Sequence, residues 1–125
     1  METKANAARH PNILRHDTLT SMRVCNRDGD DLGTIDDLVF DRESGQIRYA
    51  ILSFGGFLGI GDKLFAVPWS AFFISPVDQK LILDVQREAL KNAPGFDRDH
   101  RPNMADVEWG SGIHTHYGIR PYWEM

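Results

Sequence analysis

The stretch that decides the fold is Ile47-Arg48-Tyr49-Ala50-Ile51-Leu52-Ser53-Phe54, followed by Gly55-Gly56-Phe57-Leu58-Gly59-Ile60-Gly61-Asp62 and then Lys63-Leu64-Phe65-Ala66-Val67-Pro68-Trp69. Ile47, Tyr49 and Ile51 fall on one face of a strand and Ala50, Leu52 and Phe54 on the other, so both faces are apolar. A strand of this kind belongs at the centre of a barrel with something packed outside it. The glycines give a tight loop, because only glycine adopts positive φ without steric cost. Phosphate-binding loops open a helix whose N-terminus holds the anion. This loop leads into a strand and lacks that spacing, so a phosphate cradle is set aside in favour of barrel closure and a contact surface.

Outward from there, Met22-Arg23-Val24-Cys25-Asn26 alternates as a half-buried strand does. Arg27-Asp28-Gly29-Asp30 carries the Asp-Gly signal of a tight hairpin. Leu32 to Asp41 is ambiguous, since Leu32, Ile35, Leu38 and Val39 also suit one helix face. Its β-branched content, its flanking turns and Gly33 favour a strand, and Asp36-Asp37 interrupts the alternation as a β-bulge would. A second turn spans Asp41 to Gln46. Pro68 suits only a strand end or an edge. Phe72–Ile74 and Leu81–Val85, joined by a turn over Pro76–Lys80, bring the total to about six strands.

Residues 1–17 read as a flexible arm, with a turn of helix over Thr18–Ser21 capped by Asp17 or Thr18. Gln86–Asn92 reads as a short helix capped by Asp84 and stopped by Pro94-Gly95. Residues 94–125 read as irregular, yet they hold Trp109, Tyr117, Tyr122 and Trp123. Disordered tails are poor in aromatics, so this extension is expected to dock on its own barrel or on a second subunit. The domain limits are thus 1–17 for the arm, 18–92 for the barrel with its closing helix, and 93–125 for the extension.

Composition narrows the function. The 125 residues suffice for one domain with a real core, and 42% hydrophobic with 26% charged residues is ordinary for a globular protein. No run approaches the ~20 apolar residues of a membrane helix, and no apolar leader follows Met1, so the expected location is the cytoplasm. Cys25 is the sole cysteine, expected as a small buried hydrophobe. A net charge of −4 and the acids Asp28, Asp30, Asp31, Asp36, Asp37, Asp41 and Glu43 on one flank work against nucleic-acid binding.

No constellation supports catalysis. Asp28 to Val39 fails as a calcium loop, because Leu32 and Val39 fall where ligands are needed. His114 and His116 lack a defined third metal ligand. There is no nucleophile elbow, and Asp36 and Asp37, adjacent in a strand, point to opposite faces. The expectation is a non-enzyme with no cofactor and no metal.

The strings Gly29–Asp41, Ile47–Lys63 and Val67-Pro68-Trp69 closely resemble the PRC-barrel family, named for the cytoplasmic domain of the photosynthetic reaction-centre H subunit. The likeness runs from about Leu19 to Phe96. Ala93–Phe96 and Tyr117–Trp123 also resemble small stand-alone bacterial members. The resemblance implies a six-stranded, antiparallel, partly open barrel, often self-associating, without a cofactor. It also implies two alternative roles: an accessory subunit of redox or photosynthetic electron transfer, and a ribosome-assembly factor. Neither a membrane helix like the H subunit's nor a second barrel like that of the ribosome-assembly factor is expected from these residues. The leading expectation is therefore a protein-binding adaptor that self-associates, with a dimer favoured and a further protein partner unidentified. Its interface is expected at Phe54, Gly56, Phe57, Leu58, Ile60, Trp69, Trp109, Tyr117, Tyr122 and Trp123.

Overall fold

A computed structural model describes residues 13–54, 63–75 and 79–124. The first strands are β1 (Arg23–Cys25), β2 (Asp31–Phe40), β3 (Ile47–Phe54) and β4 (Lys63–Pro68). They are followed by β5 (Phe72–Ser75) and β6 (Lys80–Leu83). All six form one sheet in the order β4-β3-β2-β1-β6-β5, curled into a half-barrel. The chain is mainly β, as expected, but the sheet is mixed: β1 pairs with β6 in parallel, through Val24–Leu81 and Cys25–Ile82. The reason lies between β4 and β5. Pro68 ends β4 because it has no N–H to extend a ladder. A single 3-10 turn, Trp69–Ala71, carries the chain around the corner without reversing it. β5 therefore runs in the sense of β4, and β6 returns in the sense of β1.

The inner face collects apolar side chains from all six strands, among them Val24, Leu32, Ile35, Leu52, Phe65, Val67, Phe72, Leu81 and Leu83. Burial of a large apolar side chain contributes about 1.5–3 kcal/mol, so this layer is the main source of stability. Two short helices add to this core, α1 (His16–Thr20) and α2 (Arg87–Lys91), burying Leu19 and Leu90. Neither is capped as expected. Arg15 and Gln86 occupy the N-cap positions without a side-chain bond, and Asp84 instead pairs with Arg27 at 3.2 Å.

The first hairpin turns around Asn26, which is buried and fully bonded. Its Oδ1 accepts from the N–H groups of Asp28 (3.0 Å) and Asp30 (2.9 Å), while its amide donates to the Val85 carbonyl (3.1 Å). The Asp28–Asp30 turn is accordingly a structural hairpin. β2 is a strand, with a register shift between Ile35 and Asp37. The extra residue, Asp36, is held by Arg98 in a two-pronged pair (3.0 and 3.1 Å). Paired hydrogen bonds of this geometry are the strong ones, and this one ties the segment after α2 to the barrel.

The outer face of β3 and β4 is covered by the chain's own C-terminal segment. Tyr49, Ile51, Leu64 and Ala66 form a second apolar cluster with Ile113, flanked by Phe96, Met104, Trp109, Tyr117 and Tyr122. The cover is α3 (Val107–Tyr117), an 11-residue helix where irregular chain was expected. The Asp106 carboxylate caps it by accepting from the Glu108 N–H (3.0 Å), and Gly118 ends it at φ 67°. Backbone bonds between Leu64 and Phe96 in both directions (3.1 and 2.8 Å) cover part of the β4 edge. No helix among the described residues is long and apolar enough to cross a membrane.

Candidate functional site

Two surfaces among the described residues bear on function. The first is a groove of about 870 Å³ at one end of β3, lined by Gln46, Ile47, Arg48, Trp69, His114 and Tyr122. Exposed Ile13 and Leu14 form its lip. β3 supplies Arg48, the corner turn supplies Trp69, and the covering segment supplies His114 and Tyr122.

Aromatic rings pack closely behind this groove. Tyr49 meets Trp109 at 5.3 Å and Tyr122 at 5.9 Å between centroids, both edge-on. His114 sits 5.5 Å from Tyr49, 5.9 Å from Tyr122 and 5.6 Å from Trp123. Edge-on and tilted pairs place positive ring edges against negative faces. Gly110 makes the approach possible, since a Cβ there would lie 2.8 Å from Tyr49 Oη and 3.0 Å from the Trp123 ring. The Arg48 guanidinium lies over the Tyr122 ring at 4.7 Å, and its terminal nitrogen pairs with Asp41 at 3.1 Å.

Several polar atoms in this nest are buried without a hydrogen-bond partner: both ring nitrogens of His114, Arg48 Nε, and the hydroxyls of Tyr49 and Tyr117. Each such group costs about 1–3 kcal/mol. Burial, with Tyr122 beside it, pushes the Tyr49 hydroxyl up to about 12, and burial also raises Tyr117. Asp41 stays below the usual carboxylate range because the Glu43 N–H and the Arg48 guanidinium bond its charged form. Burial lowers the pKa of His114, partly opposed by the backbone at Ile119, which falls short of hydrogen-bond geometry. His114 is thus neutral in the folded chain near pH 7.

This has a consequence for stability. Below about 6.5, the ordinary histidine value, the unfolded chain takes up a proton that folded His114 resists. The unfolded chain then binds more protons, so stability is complete above about 6.5 and falls as the pH is lowered through it. His114→Phe is expected to flatten that fall between about pH 7 and 5, as read from urea midpoints across the range.

The second surface is the outer face of β1, β6 and β5. Cys25, Ile82 and Phe73 are neighbours across the three strands. Phe73 is 44% exposed, with Arg27 over its ring at 4.6 Å. β5 is a terminal strand of the sheet, with β6 as its strand neighbour among the described residues.

The residues expected at the interface divide among several places. Trp69 and Tyr122 line the groove. Trp109 and Tyr117 pack on the β3–β4 cover, and Trp123 stays 37% exposed. Phe54 is buried in the barrel beneath the Arg87 guanidinium at 4.8 Å. Gly56, Phe57, Leu58 and Ile60 lie outside the described residues. The histidines do not converge: His114 is buried and His116 exposed on the same helix. Among the described residues, no group of three or more His, Cys, Asp or Glu could hold a metal. Arg48 and Phe73 escaped the sequence reading as site residues, and His114 was weighed there only as a metal ligand. For Phe73, a Phe-Phe pair on a short strand was the available signal, because alternation sends one of them outward.

Residues 11–90, well over half the chain, match the family model described as PRC-barrel domain. No curated protein matches the chain.

Proposed function

The chain belongs to the PRC-barrel family, and on that premise we propose that it is a non-catalytic protein-binding module that self-associates through the β5 edge. The observation that carries this reading is Phe73, a large apolar side chain exposed on the outer face of a terminal strand. The edge of a terminal strand is a template for another strand, and an aromatic beside an arginine is a frequent anchor of protein interfaces. The opposite outer face, over β3 and β4, is already filled by α3. A two-fold axis beside β5 would pair it antiparallel with its copy and bring the two Phe73 side chains together, the self-complementary contact of a symmetric dimer.

Sedimentation at micromolar concentration tests this. The wild type is expected at twice the chain mass, and Phe73→Asp at the chain mass with unchanged circular dichroism. A wild-type monomer, or a Phe73→Asp dimer of equal affinity, contradicts the reading.

A further inference from the structure

We propose that the groove beside Arg48 and His114 is a binding site for a small, uncharged aromatic molecule carrying a hydrogen-bond acceptor, of the aromatic amide or N-heterocycle class. This site is separate from the β5 edge and owes nothing to self-association. Its size, about 870 Å³, lies within the range of small-molecule pockets. Its walls include two aromatic side chains for a ring to pack against, Trp69 from the corner turn and Tyr122 from the C-terminal segment.

The polar atoms specify the rest. His114 is 1% exposed, yet it lines the groove, and neither of its nitrogens has a partner. Arg48 also lines the groove, with Nε buried and unpartnered although its terminal nitrogen is engaged by Asp41. Buried polar groups of this kind are ordinarily satisfied in a folded protein, and a bound acceptor would satisfy the Arg48 Nε–H and the single N–H of the neutral His114 ring. Tyr122 links the two, with Arg48 over its ring and His114 beside it. Charge decides between ligands. The ionised Asp41 already neutralises Arg48, and His114 carries no charge near pH 7, so a carboxylate would find no free cation to repay its desolvation. A neutral carbonyl oxygen or ring nitrogen accepts from Arg48 Nε without that cost.

Benzamide is the probe, with benzoate as the charged analogue and cyclohexanecarboxamide as the non-aromatic one. Titrations followed by the Arg48 Nε–H and Trp69 indole N–H resonances are expected to give benzamide a Kd of about 1 mM or tighter. Both analogues should bind at least ~5-fold more weakly. Arg48→Met and His114→Phe should each weaken benzamide at least ~5-fold, with resonance dispersion verifying the fold of each variant. His114→Phe replaces an unsatisfied buried group with an apolar ring, so it keeps the test available if Arg48→Met fails to fold. Phe73→Asp should bind benzamide like the wild type, which separates this site from the dimer contact. The proposal is overturned if benzamide does not perturb these resonances, if benzoate or cyclohexanecarboxamide binds equally, or if folded His114→Phe keeps wild-type affinity.

Discussion

Gly33→Ala is expected to destabilise the protein by about 4 kcal/mol, most of the stability of a small domain. Gly33 sits in β2 at φ 122°, a region that side chains rarely enter. A Cβ there would lie 2.1 Å from the carbonyl oxygen of Ser53 in β3. That obstacle is backbone and cannot rotate away. Ser53 pairs with Thr34 and Leu64 on its two sides, so relieving the clash would pull β3 from both neighbours at the middle of the sheet. Urea unfolding of the two proteins measures the difference, and a loss below about 1 kcal/mol would show that the β2–β3 approach is not as close as described.

Removing everything after Phe96 is expected to be at least as damaging. The C-terminal segment covers Tyr49, Ile51, Leu64 and Ala66, each buried to within about one per cent. Losing α3 and the aromatics that follow uncovers a continuous apolar face on two central strands, at about 1.5–3 kcal/mol for each large side chain. The ordering entropy recovered by the missing residues offsets part of this, leaving a loss of about 5 kcal/mol, comparable with the total stability of such a domain. The shortened chain should aggregate or lose near-ultraviolet circular dichroism. A soluble, well-dispersed product would mean that α3 is an appendage and not a layer of the fold.

These two positions also show how far the sequence could be read. β3 announced its own cover, because both of its alternating faces are apolar. What it could not say was what the cover is. α3 hides behind Gly110 and Gly112, residues that disfavour helix by about 1 kcal/mol each, and Gly110 is there to admit Tyr49 and Trp123 rather than to help the helix. The β2 bulge at Asp36 was visible as broken alternation, but its partner Arg98 lies 62 positions away. Alternation carries no strand direction, which is why the parallel β1–β6 pairing was not foreseen. The Asp84 cap failed for a similar reason, since the carboxylate found Arg27 beyond the end of the neighbouring strand β1. The groove was invisible for the same cause on a larger scale. Gln46, Trp69, His114 and Tyr122 meet only after the corner turn and α3 are in place, and a buried histidine looks no different in sequence from an exposed one.

Self-association through β5 is the central functional proposal, and amide hydrogen exchange on β5 tests it most directly. At high protein concentration the outward-pointing β5 amides of the wild type should be protected, and they should lose that protection on dilution or in Phe73→Asp, while the β5 amides bonded to β6 and the β2–β3 amides stay protected. Exchange at the outward-pointing β5 amides that is fast at every concentration, and the same in Phe73→Asp, would contradict it.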